Sequence, residues 1–278
     1  MSTENTLLTI LVHKINHDIL VLPTLPAIAL KVRKATDDPN INLKEIADVI
    51  AQDVSLSARM VKIANSAHMG HRVKVSSVSQ AVTCIGLSQL KYIATALAME
   101  QLFVSKSQLI KAHMQQIWID TVEVVAHSIA ALQVYILHTK NRTLSLDTLT
   151  LAALVHNIGL LPILSEADRY PDVFANSTFL LTAFDKLTGP IGASIMSKWG
   201  FEQDFMTIAE HWKNMDVQSK DVSYLDFVRL GAALAGKFDE QQDAIFAMAI
   251  AKGMVSDLDF LHSEEFNEMC HNAKQIFA

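Results

Sequence analysis

Apolar residues in this chain recur at intervals of three and four, and no apolar–polar alternation persists long enough for a strand. That repeat is the signature of helices burying one face each, so the fold must be made by packing helix on helix. Leu43, Ile46, Ala47 and Ile50 form one such face, and Leu56, Met60, Ile63 and Ala64 form the next. Between them Asp53-Val-Ser55 reads as a turn whose Asp or Ser caps the second helix. A short helix over 78–85 closes on Gly86, a residue suited to a helix C-terminus. Further helices are expected over 87–103 (with Ser88 as its cap), 113–138, 146–155, 178–199, 201–212, 221–237 and 241–254, with Gly200 as punctuation. There is no low-complexity stretch, fixed-period repeat or long Gly/Ser/Pro linker. The fold class is all-α.

Helix breaks are few. Asp37-Asp-Pro-Asn40 reads as a turn, and residues 68–72 as a loop exposing His68 and His71, which lack a third metal ligand nearby. Residues 165–176 read as an acidic and aromatic connection. The apolar run 151–164 is too short to span a membrane, and Pro162 is expected to bend or end it. The N-terminus lacks the basic start and apolar core of a signal peptide. Cys84 and Cys270 form neither a disulfide framework nor a CxxC site. These features predict a cytoplasmic protein with no membrane partner.

Charge narrows the partners. The chain has 278 residues and a formal net charge of −6, with its densest basic patch, Lys31-Val-Arg33-Lys34, read as the solvated side of a helix. An acidic chain with no basic stripe is a poor match for a phosphate backbone, so no direct nucleic-acid binding is expected. The helix pair at 42–67 evokes a helix-turn-helix, but its second helix lacks base-reading side chains.

The chemistry centres on Leu151-Ala-Ala-Leu-Val-His156-Asn157-Ile-Gly159-Leu160. A metallohydrolase would place His-Asp where His156-Asn157 stand. A carboxylate holds a divalent cation and its water; a neutral amide does both poorly. The plainer readings make His156 a core histidine bonded through one ring nitrogen, and Asn157-Ile-Gly159 a helix C-terminal signal. Asp120, Glu123 and His127 lie three and four apart along one helix, and read as a solvated face. Trp199, Trp212, Phe201 and Phe205 read as core or interface aromatics. His211 reads as a helix-end cation beside Glu210.

Three ordered stretches resemble the HDOD family, bacterial signalling modules derived from the HD metal-dependent phosphohydrolases. The first comprises Leu22-Pro-Thr-Leu-Pro-Ala-Ile-Ala-Leu30, Asp37-Asp-Pro39, Ile50-Ala-Gln-Asp53-Val-Ser-Leu56 and Ala64-Asn65-Ser66-Ala67. The second is Gln80-Ala-Val-Thr-Cys-Ile-Gly86-Leu. The third runs from Trp118 through His156 to Trp199-Gly200 and Glu210-His211. The resemblance implies an HD-like multi-helix bundle with an N-terminal helical subdomain. On that pattern residues 1–15 are an N-terminal helix and 16–237 the HDOD domain, divided into 16–110 and 111–237. Residues 238–278 are then a C-terminal helical extension.

Carried over position by position, the family's ligands survive poorly. Its first histidine falls on Asp120 and its His-Asp pair on His156 and Asn157. The lysine often found next is Leu160, and a later histidine, four residues before Gly192, is Thr188. The paired histidines fall on His211 and Trp212, and a final aspartate falls near Ala232. The resemblance therefore implies a degenerate site, formed by Asp120, His156, Asn157, Thr188 and His211. No catalytic residue, cofactor or metal is expected. The implied function is a signalling module that binds a protein partner or a small ligand, with the state of assembly left open. The alternative is a divergent phosphohydrolase acting on a nucleotide or other phosphoester, holding one divalent metal through His156, Asp120 and His211.

Overall fold

The computed structural model describes residues 6–65, 74–105, 108–170, 177–275 and 277, so His68 and His71 lie outside the described residues. Every regular element among them is helical, as the periodicity requires. The chain divides into two compact units, each assembled from separate segments. One takes Met1–Thr24, Leu102–Ile119 and Val155–Gln218; the other takes Leu25–Gln101, Asp120–Leu154 and Ser219–Ala278.

The second unit begins with α2 (Ala27–Thr36), α3 (Leu43–Ile50), α4 (Val54–Ala64), α5 (Val78–Ile85) and α6 (Leu87–Met99), α1 being Thr6–Asn16 in the other unit. The faces read from the sequence, including Ile46 and Ile50 on α3 and Leu56, Met60 and Ile63 on α4, meet in one core. Local chemistry sets the boundaries. Asn42 and Glu45 close a reciprocal capping box at α3, and Asp53, not Ser55, caps α4 by accepting the Leu56 N–H at 2.8 Å. Each such cap stabilises its helix by about 1 kcal/mol. Gly86 ends α5 at φ +83°, a conformation that costs a residue with a Cβ. Ser88 is not the cap of α6: that helix starts at Leu87, directly after Gly86. Only its first part is α-helical over the expected span, since Glu100–Phe103 tightens into a 3₁₀ turn.

The same unit continues through residues 120–139 of α7 (Gln108–Thr139) and most of α8 (Leu146–Val155). After α9 (Leu160–Arg169), α10 (Ser177–Lys198) and α11 (Gln203–His211), which belong to the first unit, it resumes with α12 (Tyr224–Leu234), α13 (Gln242–Ala251) and α14 (Glu264–Lys274). Helix α12 crosses α7 at backbone distance: a Cβ on Gly231 would lie 2.1 Å from Ser128 Oγ and 2.7 Å from the Val124 carbonyl oxygen. The Asp120–Glu123–His127 stripe is not the solvated face the sequence suggests. Asp120 pairs with Lys237 at 2.9 Å and Glu123 with Lys274 at 2.6 Å, both cations arriving from more than 100 residues downstream. His127 is largely buried beneath Phe266, and desolvation holds its pKa below the usual imidazole value. The residues after 237 are thus part of the packing: Leu261, Phe266, Cys270 and Ala273 are buried, and burial pushes the Cys270 thiol up to about 12.

Two stretches, Ile110–Thr139 and Leu146–Arg169, are long and apolar enough by composition to cross a membrane. In the second, 83% of the most apolar 18-residue window is buried inside the fold, and a turn at 156–159 divides the stretch. Burial among protein side chains accounts for that hydrophobicity as well as lipid would.

Candidate functional site

In the first unit, α8 ends at Val155 and α9 begins at Leu160, leaving His156 to Gly159 as a tight turn. The Ile158 N–H donates to the Val155 carbonyl and the Leu160 N–H to the Asn157 carbonyl. Gly159 is not the left-handed helix terminator that Asn-Ile-Gly suggests, since its φ is −64°. It is required for another reason. A Cβ there would fall 2.0 Å from the Thr188 carbonyl oxygen and 2.8 Å from the Gly192 nitrogen. Backbone therefore touches backbone where α9 meets α10.

Helix α10 repeats this on another side. A Cβ on Gly189 would lie 2.5 Å from the Glu210 carbonyl oxygen, and one on Gly192 would lie 3.2 Å from Ala209 Cβ. Three glycines hence clamp α9, α10 and α11 at spacings that leave no room for side chains between them. Pro162 sits in the first turn of α9, where its missing N–H would be unsatisfied anyway, so it neither bends nor ends the helix. The connection expected over 165–176 is helical as far as Arg169. Glu166, which that reading left in a loop, is 1% exposed and bridges Lys14 and Arg169.

The expected site residues within this unit sit around the clamp. His156 is 2% exposed and meets Trp212 edge to face, with ring centroids 4.7 Å apart. Asn157 and Thr188 are buried, and Thr188 Oγ1 has no hydrogen-bond partner among the described residues. His211 is partly exposed, with Nε2 3.5 Å from a Glu210 carboxylate oxygen. Lys213 Nζ lies 5.0 Å over the Trp212 ring. Trp212 thus links His156 to the surface cation, a role its sequence position (that of a histidine in the family pattern) did not disclose. Asp120 belongs to the other unit, where Lys237 neutralises it. Ala232 is buried on α12, whose own buried carboxylate is Asp226, committed to the Ser223 capping box and to Lys252 at 2.8 Å.

Chemically, the expected site residues within this unit are an imidazole against an indole, a neutral amide, a hydroxyl unpartnered among the described residues and a half-exposed imidazole. A hard divalent cation wants anionic oxygens, which this set does not offer. No group of three His, Cys, Asp or Glu side chains among the described residues is arranged to hold a metal ion. The residues therefore fit a divalent metal poorly, and no reaction step can be drawn through one.

Known proteins place this geometry in context. A model of the HDOD domain matches residues 22–215. A crystal structure from Shewanella amazonensis SB2B, of a protein provisionally named a metal-dependent phosphohydrolase, is similar at 37% identity and a TM-score of 0.93, covering 100% of both chains. A protein from Marinobacter aquaeolei VT8, provisionally named a signal transduction protein, shares the fold at 21% identity and a TM-score of 0.57, over 93% of this chain and 59% of that one. A curated Treponema pallidum (strain Nichols) protein of uncharacterized activity is 24% identical over 191 residues, or 69% of this chain. The chain spans 35% of that protein's length.

Proposed function

The chain belongs to the HDOD family, and from that premise we propose that it is a non-catalytic regulatory module, acting in signal transduction by binding a protein partner or a small ligand. The observation that carries this reading is the amide of Asn157 in place of a carboxylate, beside a His156 already packed on Trp212. Without an anionic oxygen there, neither cation affinity nor the ionisation of a bound water follows. The pairing of Asp120 with Lys237 supports the same conclusion, because that carboxylate already has a counter-ion. A cytoplasmic setting and the absence of direct nucleic-acid binding belong to this reading, the latter supported by the net charge of −6.

The second reading is a divergent phosphohydrolase. It is favoured by one observation, that the 37% identical Shewanella protein is provisionally named a metal-dependent phosphohydrolase. Under it, His156 and His211 would hold a divalent ion that supplies a polarised water, with Asp120 as a third donor. One assay separates the two. Purified protein supplied with Mn²⁺, Mg²⁺ or Zn²⁺ is tested against p-nitrophenyl phosphate, bis-p-nitrophenyl phosphate, nucleotides and cyclic nucleotides. The regulatory reading predicts rates equal to those of a His156→Ala variant. Turnover that His156→Ala abolishes would establish the hydrolase.

A further inference from the structure

The second unit contains a cavity of about 890 Å³ that the reading above does not use. Its walls come from α5, α6, α7, α8, α14 and the connection between α7 and α8, and include Ile85, Ile136, Leu137, Leu144 and Met269 as apolar surface. Gln89, Gln133 and Asn272 add amides around it, and Arg142 and Asp147 are its charged lining residues. A space this size matches the pockets that take small organic molecules, which are mostly apolar with a few placed polar groups.

Asp147 is the unusual component. It lies in the first turn of α8 and is only 8% exposed, yet it lines the open cavity. Among the described residues no cation lies within ion-pair distance of it, Arg142 included. Among the described residues its hydrogen-bond donor is its own backbone N–H. Buried carboxylates are normally paired, because an unpaired one forfeits hydration without compensation. We infer that this cavity binds a small organic cation, a protonated amine or amidine with an apolar body, through an ion pair to Asp147. The helix terminus alone would not imply such a site. The nine-tenths buried Asp147, lining an open cavity with aliphatic side chains in its walls, does.

Burial raises the Asp147 pKa to about 6, and its own N–H only partly offsets this. Near pH 7 it is therefore mostly ionised, the state that attracts a cation, and it becomes neutral as pH falls through 6. The cavity's other titratable lining residues are Arg142 and Cys84. Arg142 is exposed, so water screens its repulsion of a ligand cation seated at Asp147.

Benzamidine is a direct probe, a flat amidinium on an apolar ring, and benzamide is its neutral counterpart. Calorimetric titration of the full chain at pH 7.5 should show saturable binding of benzamidine and at least tenfold weaker binding of benzamide. Asp147→Asn should weaken benzamidine at least tenfold, and lowering the pH to 5 should weaken it for the native chain. Leu137→Trp, at an exposed position on the cavity wall, should block it while leaving the circular dichroism unchanged. It decides the question if Asp147→Asn does not fold. Equal binding of the two probes, undiminished binding by either folded variant, or no saturable benzamidine binding would overturn the inference. None of these outcomes depends on whether His156 takes part in catalysis.

Discussion

The turn at His156 and the cavity at Asp147 are opposite solutions to burying polar groups. At His156 the imidazole is packed away: it meets the Trp212 indole edge to face, and glycines bring three helices to backbone contact. At Asp147 a carboxyl is buried without a cation beside an opening. The first arrangement gains packing and forgoes room for a ligand. The second forgoes stability and keeps the room. A family position that looks chemical in the sequence can thus be structural, while an unremarked aspartate ten residues before Asn157 is the one that lines an open cavity.

The largest expected effect lies at the clamp. Gly159→Ala would drive a methyl into the Thr188 carbonyl and the Gly192 nitrogen, both backbone and unable to rotate aside. The cost should reach about 4 kcal/mol or more, enough to lose the fold, as read by urea denaturation. A loss below 1 kcal/mol would mean that α9 and α10 do not touch.

Asp147→Asn should act in the other direction. The native-state pKa of about 6 exceeds the ordinary 3.8, so the folded state holds its proton more tightly than the unfolded chain does. The stability this contributes is present below pH 3.8 and lost as pH rises through 6. Asparagine escapes that loss, so the variant should be more stable at pH 7 by about 1–3 kcal/mol, less what the helix dipole gives an anion there. The gain should vanish by about pH 4 in a series of thermal melts. A destabilised variant at pH 7 would show that the carboxylate has a counter-charge.

Thr188→Val tests the clamp more finely. It removes a buried hydroxyl with no hydrogen-bond partner among the described residues at nearly constant shape, so stability should hold or rise by up to about 1 kcal/mol. A loss greater than that would reveal a partner for the hydroxyl. The smallest effect is expected at Asp120. Its pair with Lys237 is about one-third exposed on both sides, so Asp120→Asn should cost under about 1 kcal/mol and less still in high salt.

These contrasts follow what the sequence can and cannot express. Helix α8 appears over the expected residues, 146–155, because an apolar run bounded by turn chemistry is a local signal. Gly86 was readable as a helix stop for the same reason, and it has the positive φ such a stop needs. Gly159 had the same look and the wrong cause: its need for space comes from Thr188 and Gly192, some 30 residues away. The Asp120–Glu123–His127 stripe misleads similarly, because Lys237 and Lys274, which cover it, are invisible to local spacing. Pro162 looked like a break because the turn at 156–159 that puts it in a first helical turn is itself set by tertiary contact. For Asp147 no local pattern separates a solvated helix start from a buried one.

Metal occupancy after loading tests the central claim most directly. The chain is dialysed against excess Mn²⁺, freed of unbound ion by gel filtration, and assayed by elemental analysis beside His156→Ala. The account predicts the same substoichiometric content in both. One ion per chain, retained by the native protein and lost with His156, would contradict it.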